Sequence, residues 1–293
     1  MKAFVLPVGH SNPNMISRLL LPALLGVTML FSGCLEEKDS ITVYADGSGV
    51  LRIHKKFGEA LSQMVSSNAT PDKIQAAIDK SLYQDLALWS GVSAWTGCRA
   101  SLDGKLVSFD AVAFFADVSG LKRTEGAKTQ TFSWNKNSDG GFTLVWNNVD
   151  PSNQNPLDQP AAPPAQAQQM LAMMKGLKVD HELVLPGAVS TAVGAVAHNG
   201  RTATAELSDK NVADYFALLD NYRSRVDKGE IAKAQASSEV ATKMKAMSLD
   251  LQVTCGPGDV GNEFSEFRKA FEAAKADYSA TGTAQKIRDA TKG

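Results

Sequence analysis

The chain has 293 residues, 44% of them apolar, and a formal net charge of −1 at pH 7. That apolar share excludes wholesale disorder, and so balanced a charge excludes the electrostatic footprint of a nucleic-acid binder. The length fits one large domain or two ordinary ones.

Residues 1–33 read as a targeting segment. Lys2 and Arg18 are its only Lys or Arg residues, and it contains no Asp or Glu. The apolar run Leu19 to Phe31 is thirteen residues long. A bilayer core of about 30 Å needs ~20 apolar residues, so this run is too short to span it, but it suits the apolar region of a signal peptide. Small residues Ser32 and Gly33 then precede Cys34. Phe31-Ser32-Gly33-Cys34 resembles the lipobox of bacterial lipoproteins, with Phe31 standing where Leu is usual. The resemblance implies a thioether-linked diacylglyceryl group on Cys34 and cleavage before that residue, often with acylation, such as palmitoylation, of the new amino terminus. A single chain of myristoyl length binds only reversibly, whereas two or three hold a protein on the membrane. Leu35 in place of the Asp that retains lipoproteins on the inner membrane implies the outer membrane, facing the periplasm. Two alternatives stay open: an uncleaved anchor, and an ordinary secretory signal followed by a coincidental cysteine. Met15 is an alternative start, because Pro7 and Pro13 make the leader unusually long.

Removing the leader leaves 260 residues carrying 28 Lys plus Arg against 31 Asp plus Glu. Leu35 to Ser40 reads as a polar spacer. Ile41 to Tyr44 and Val50 to Phe57 read as strands about the turn Asp46-Gly47-Ser48-Gly49. This hairpin resembles the opening of uncharacterised bacterial lipoproteins whose first strand ends in a similar turn. Thr70 is a good N-cap, with Pro71 at the first helical position. Ile74, Ile78, Leu82, Leu86 and Trp89 follow helical spacing up to Gly91. Strands follow at Val92 to Ser101 and Lys105 to Phe115, then a hairpin of Thr129 to Trp134 with Phe142 to Trp146.

Pro151 to Pro164 holds five prolines and reads as a linker or long loop. Gln166 to Lys175 is helical, and Leu177 to Leu185 alternates as a strand. Val189 to Ala197 and Arg201 to Leu207 form a hairpin about Asn199-Gly200. Helices are expected around Val212 to Tyr222 and over Glu230 to Met247. A strand from Leu249 to Cys255 follows, then a helix striped by Phe264, Phe267, Phe271, Ala274 and Tyr278. The expected organisation is an anchor and spacer at 34–40, an α+β half at 41–150, a linker at 151–164, a second α+β half at 165–280 and a frayed tail at 281–293. The expected fold class is α+β, with antiparallel sheet built of hairpins, helices packed on one face and a hint of two similar halves.

With Cys34 taken by lipid, Cys98 and Cys255 remain, an even count in an oxidising compartment, and a Cys98–Cys255 disulfide is expected. Other chemistry is hard to find. Gly256-Pro257-Gly258-Asp259-Val260-Gly261 spells a dinucleotide-binding loop. It lacks a following strand and its acidic residue, and Pro257 removes one N–H, so it reads as a turn. Asn135 to Gly140 resembles the start of a calcium loop, but the Glu that would close it falls on Trp146. His181-Glu182 is adjacent on one strand, so the two side chains point to opposite faces. No catalytic, cofactor or metal constellation emerges from His54, His181, His198 or the serines. Phe264, Phe267 and Phe271 read as core. Met170, Met173 and Met174 read as a packed helix face or a partner groove, and His54-Lys55-Lys56 as a solvated strand end or a headgroup contact. The resulting expectation is a non-catalytic binding or scaffolding protein of the cell envelope, tied to the membrane through Cys34 and serving an envelope protein or lipid. The alternatives are an envelope hydrolase with a dispersed site and a lipid carrier with an apolar cavity.

Overall fold

The structure is a computed structural model that describes residues 35–58, 70–104, 106–149, 156–158, 163–194, 197–246, 249–258 and 261–292. Its strands are β1 (Glu36–Val43), β2 (Gly49–Phe57), β3 (Trp89–Ser90), β4 (Ala94–Asp103), β5 (Leu106–Phe115), β6 (Lys122–Glu125), β7 (Lys128–Lys136), β8 (Phe142–Val149), β9 (Lys178–Val184), β10 (Val189–Val193), β11 (Ala197–Asn199), β12 (Thr202–Ser208) and β13 (Leu251–Cys255). Its α-helices are α1 (Pro71–Ala87), α2 (Pro164–Met173), α3 (Asp209–Asp227), α4 (Lys233–Ala246), α5 (Gly261–Ala280) and α6 (Thr283–Ala290).

The strands form two sheets. A seven-stranded sheet runs β11-β12-β9-β1-β2-β5-β4, and a six-stranded sheet runs β10-β13-β8-β7-β6-β3. Every pairing is antiparallel except β1 with β9, which is parallel. The architecture is the expected α+β with antiparallel-dominated sheet. Strands from both sides of the Pro-rich segment enter both sheets.

Alternation decides which side chains go inward. Ile41 and Val43 on β1, Leu51 and Ile53 on β2, and Phe115 on β5 meet Phe132, Leu144, Trp146 and Val253 of the other sheet in one buried core. Helix α1 adds Ile78, Leu82 and Leu86 to that core. Pro71 takes the first helical position as expected, although the Thr70 side chain makes no capping hydrogen bond. The outer face of the seven-stranded sheet receives α5, whose Phe267, Phe271 and Ala274 pack on Tyr44, Val50, Ala94 and Phe114. The stripe expected to be core is core. Phe114 and Phe271 stack at 5.9 Å, and Tyr44 and Phe267 at 4.5 Å. Helices α3 and α4 carry a small core of their own, built on Leu219, Tyr222, Ile231, Ala236 and Val240. Helix α3 opens with a capping box between Ser208 and Asn211.

The β1–β2 turn shows why its glycines are there. Gly47 sits at φ 84°, a conformation disfavoured for other residues. A Cβ on Gly49 would lie 2.0 Å from the Thr42 carbonyl oxygen and 2.6 Å from Phe115 Cζ, so no larger residue fits.

Several expectations need correction. Leu35 to Ser40 is no spacer: β1 begins at Glu36, and the Leu35 carbonyl already accepts from the Lys178 N–H at 2.8 Å. Val189–Val193 does not pair with β12. It crosses to the six-stranded sheet and pairs with β13, leaving the short β11 to form the Asn199-Gly200 hairpin with β12. The Cys98–Cys255 disulfide is absent, and both residues are free thiols. Cys98 lies on β4, the last strand at one flank of the seven-stranded sheet. Cys255 lies on β13, beside β10 at the opposite flank, where the Val189 N–H reaches the Gly200 carbonyl.

Candidate functional site

The half of the inter-sheet core nearest the start of β1 holds charge where apolar side chains would be expected. On β1 the inward residues run Glu37, Asp39, Ile41, Val43, so the strand is charged at the Cys34 end and apolar at the other. Lys55 on β2 stands opposite Glu37 in register, and His181 on β9 stands opposite Asp39. Asp85 arrives from α1 and Arg123 from β6. Asp39 and His181 are each 1% exposed and Lys55 3%.

Four of these groups pair with one another, although Asp85 Oδ2 and Arg123 Nε have no hydrogen-bond partner among the described residues. Lys55 Nζ lies 3.1 Å from Glu37 Oε1 and donates to Asp85 Oδ1 at 2.9 Å. Arg123 reaches Asp85 at 3.1 Å, Glu125 at 3.2 Å and Glu37 at 3.8 Å. Burial works against the charge on Glu37 and Asp85, but Lys55 and Arg123 overcome it and hold both carboxyls below their ordinary range. Burial likewise opposes the charge on Lys55, and it too is overcome, by Asp85, Glu37 and Asp39, so the ammonium is held above its usual value. Charge is retained because each charged group faces an opposite one.

Asp39 and His181 stand apart from that balance. Neither carboxylate oxygen of Asp39, nor His181 Nδ1, has a hydrogen-bond partner among the described residues. Burial, reinforced by Glu37 two residues away, pushes Asp39 up to about 7. Burial pushes His181 down to about 4, against the attraction of Glu37. The His181 ring stacks on Trp146 at 3.9 Å and 9° and hydrogen-bonds the Leu249 backbone. At neutral pH the imidazole is uncharged and Asp39 is near the midpoint of its titration. Both side chains are buried in the core between the sheets.

The other singled-out residues fall elsewhere. Cys34 and the leader lie outside the described residues. Burial raises the Cys98 thiol to about 11 and also raises Cys255, so neither is a poised nucleophile. His181 and Glu182 do face opposite ways: Glu182 lies on the outer face, where it accepts from Ser40 Oγ at 2.7 Å and pairs with Lys38. His54 and Lys56 pair with Asp110 and Glu36, and Lys55, read as solvated, is core. The stretch Asn135 to Gly140 covers the end of β7 and the β7–β8 turn, closed by a hydrogen bond from the Asn137 N–H to the Gly141 carbonyl. Gly256 to Gly258 connect β13 to α5, and a Cβ on Gly258 would strike the Pro186 carbonyl oxygen. Met174 is buried and Met170 half-buried. Among the described residues, no three His, Cys, Asp or Glu are placed to hold a metal ion.

Sequence reasoning missed the buried cluster. Its signal was the alternation itself: Glu37, Asp39, Ile41, Val43 and Leu51, Ile53, Lys55, Phe57 are unbroken every-second-residue series that pass through charged positions.

No family model matches the sequence, and no curated protein matches it. Among solved structures, the NMR structure of the folded domain of Mycobacterium tuberculosis LppM is similar over 61% of this chain and 84% of its own. The identity is 13% and the TM-score 0.30. A likeness this slight carries neither fold nor function from one protein to the other.

Proposed function

We propose that the chain is a lipid-anchored protein of the cell envelope, acylated at Cys34, whose folded body binds or scaffolds another envelope component. The lipobox motif is joined by one structural observation. The fold begins at once after Cys34, with Leu35 tied to Lys178 and β1 starting at Glu36. A modified Cys34 would therefore hold the body directly at the bilayer. No helix among the described residues is long and apolar enough to cross a membrane. Leu35 favours the outer membrane, with the body in the periplasm.

A binding role is favoured over catalysis because a cluster of acids and bases, Glu37, Lys55, Asp85 and Arg123, lies between the sheets and is used in mutual neutralisation. The space that a lipid carrier would need there is occupied by Ile41, Leu51, Phe115, Leu144 and Trp146. The test is fractionation of cells expressing the full chain and its Cys34→Ser variant, with mass spectrometry of the mature amino terminus. The expected result is a diacylated Cys34 in the membrane fraction and release of the variant into the soluble fraction. An unacylated Cys34, or a variant that still sediments with membranes, overturns the reading.

A further inference from the structure

The large apolar side chains exposed among the described residues are Leu102 at 37%, Leu106 at 44%, Val149 at 49% and Val193 at 59%. They lie in four different strands, yet strand register collects the first three at one end of the body. In the seven-stranded sheet, Glu36 at the start of β1 pairs with Lys56, Phe57 pairs with Val107, and Val107 pairs with Leu102. Leu106 pairs with Asp103 at the same end. The opposite end of that sheet holds the β1–β2 turn, where the Gly47 carbonyl accepts from Val118 and a Cβ on Gly47 would lie 3.2 Å from Trp134 Cδ1. Trp134 thereby marks the distal end of the six-stranded sheet as well. Strand β8 starts near it, with Leu144 paired to Trp134, and runs back to Val149. Strand β10 leaves Cys255, beside the distal Gly187, and ends at Val193, whose partner Gln252 pairs with Val145 beside Leu144, so Val193 stops short of this end. Arg123 against Glu37 and Trp146 against His181 lock the two sheets in this relative direction.

We infer that this end of the body, carrying Leu102, Leu106 and Val149, rests on the bilayer surface, with the apolar side chains in contact with lipid. The inference deepens the proposed anchor and rests on it. Cys34 is two residues from the first residue of β1, and extended chain rises about 3.3 Å per residue. A diacylated cysteine that close leaves no slack for the body to stand off, so some surface must face the headgroups. The surface beside the attachment point exposes three of the four large apolar side chains. Two neighbouring lysines are internally paired, Lys56 with Glu36 and Lys178 with Asp180, and the charge next to Leu102 and Leu106 is the exposed carboxylate of Asp103. Contact is therefore apolar in character and does not call for anionic lipid.

The test reconstitutes the full lipidated chain in phosphatidylcholine vesicles containing chain-brominated lipid. Three variants each add one tryptophan: Leu106→Trp and Val149→Trp at the proposed contact, and Ser138→Trp at the exposed distal β7–β8 turn. Against the parent protein, the emission added at 106 and 149 is expected to be blue-shifted and quenched severalfold more than that added at 138. Mass spectrometry of the same preparation reports the state of Cys34. Equal quenching at all three positions with Cys34 acylated overturns the docking while the anchor stands. An unacylated Cys34 overturns both.

Discussion

The two halves of the space between the sheets follow opposite rules. Toward the distal end, Ile41, Val43, Leu51 and Phe115 meet Leu144 and Val253 in an ordinary apolar core. Toward the Cys34 end, the same strands, in the same alternation, present Glu37, Asp39, Lys55 and His181. Backbone geometry does not differ between the halves. The distal half is held by removal of apolar area from water, which tolerates small changes of shape. The anchor-side half is held by charge balance, where each member is tolerated only while its partners are present.

The contrast is broken most directly at Lys55. Lys55→Met keeps the volume but leaves Glu37 and Asp85 without their shared ammonium. Removing one partner of a buried ion pair costs about 3–5 kcal/mol, and urea unfolding of purified protein at pH 7 should show a loss of that order.

Asp39→Asn sharpens the comparison through pH. Asp39 holds its proton up to about 7 in the fold but only to its ordinary value when unfolded. The native state therefore binds the extra proton between pH ~4 and ~7, and this group's contribution to stability falls across that window as pH rises. A shift of this size corresponds to roughly 4 kcal/mol at most. His181 acts in the opposite sense. Its folded value is about 4, so the unfolded state binds the extra proton from there up to the ordinary histidine value, and stability rises with pH over that range. In the native protein the two trends offset each other up to about pH 6.5, and the Asp39 loss emerges above that. Asp39→Asn should leave only the rise, giving stability that climbs to about pH 6.5 and then stays level. Unfolding midpoints measured from pH 5 to 8 decide it: a decline above pH 6.5 that persists in the variant removes Asp39 as its source.

In the apolar half, Ile41→Val deletes one methylene from a fully buried site and should cost about 0.5–1.5 kcal/mol, with no change of pH profile. Smallest of all is Lys38→Ala on the outer face of the same strand. Its partner Glu182 is 3.5 Å away, Lys38 is half-exposed, and surface pairs of this kind contribute about 0–1 kcal/mol. A loss at Lys38 comparable to that at Lys55 would mean that burial does not set the difference.

The apolar half was legible in the sequence and the charged half was not, for a local reason. Ile74, Ile78, Leu82 and Leu86 mark α1, Phe264, Phe267 and Phe271 mark α5, and alternation marks β9 and β13, because in each case the element's own residues declare their buried face. Glu37, Asp39 and Lys55 look solvated when read alone. Their burial depends on Asp85, Arg123 and His181, which lie 30 or more positions further along the chain. For the same reason Leu35 to Ser40 reads as a spacer, although β9 takes it into the middle of a sheet. The crosslink between Cys98 and Cys255 failed on another long-range fact, since strand order sends the two residues to opposite flanks. Short β3 and β6, two and four residues long, carry too little pattern to be seen.

The parallel pairing of β1 with β9 has a consequence for how the molecule is made. Synthesis from the amino terminus delivers β1 well before residues 178–184, so the strand next to the attachment point spends that interval with one edge unpaired, exposing a row of N–H and C=O groups. Contacts of such sequence separation form slowly. The new chain is thus most vulnerable to sticking to its neighbours at the very edge that the folded protein hides deepest, until its later half arrives to close it.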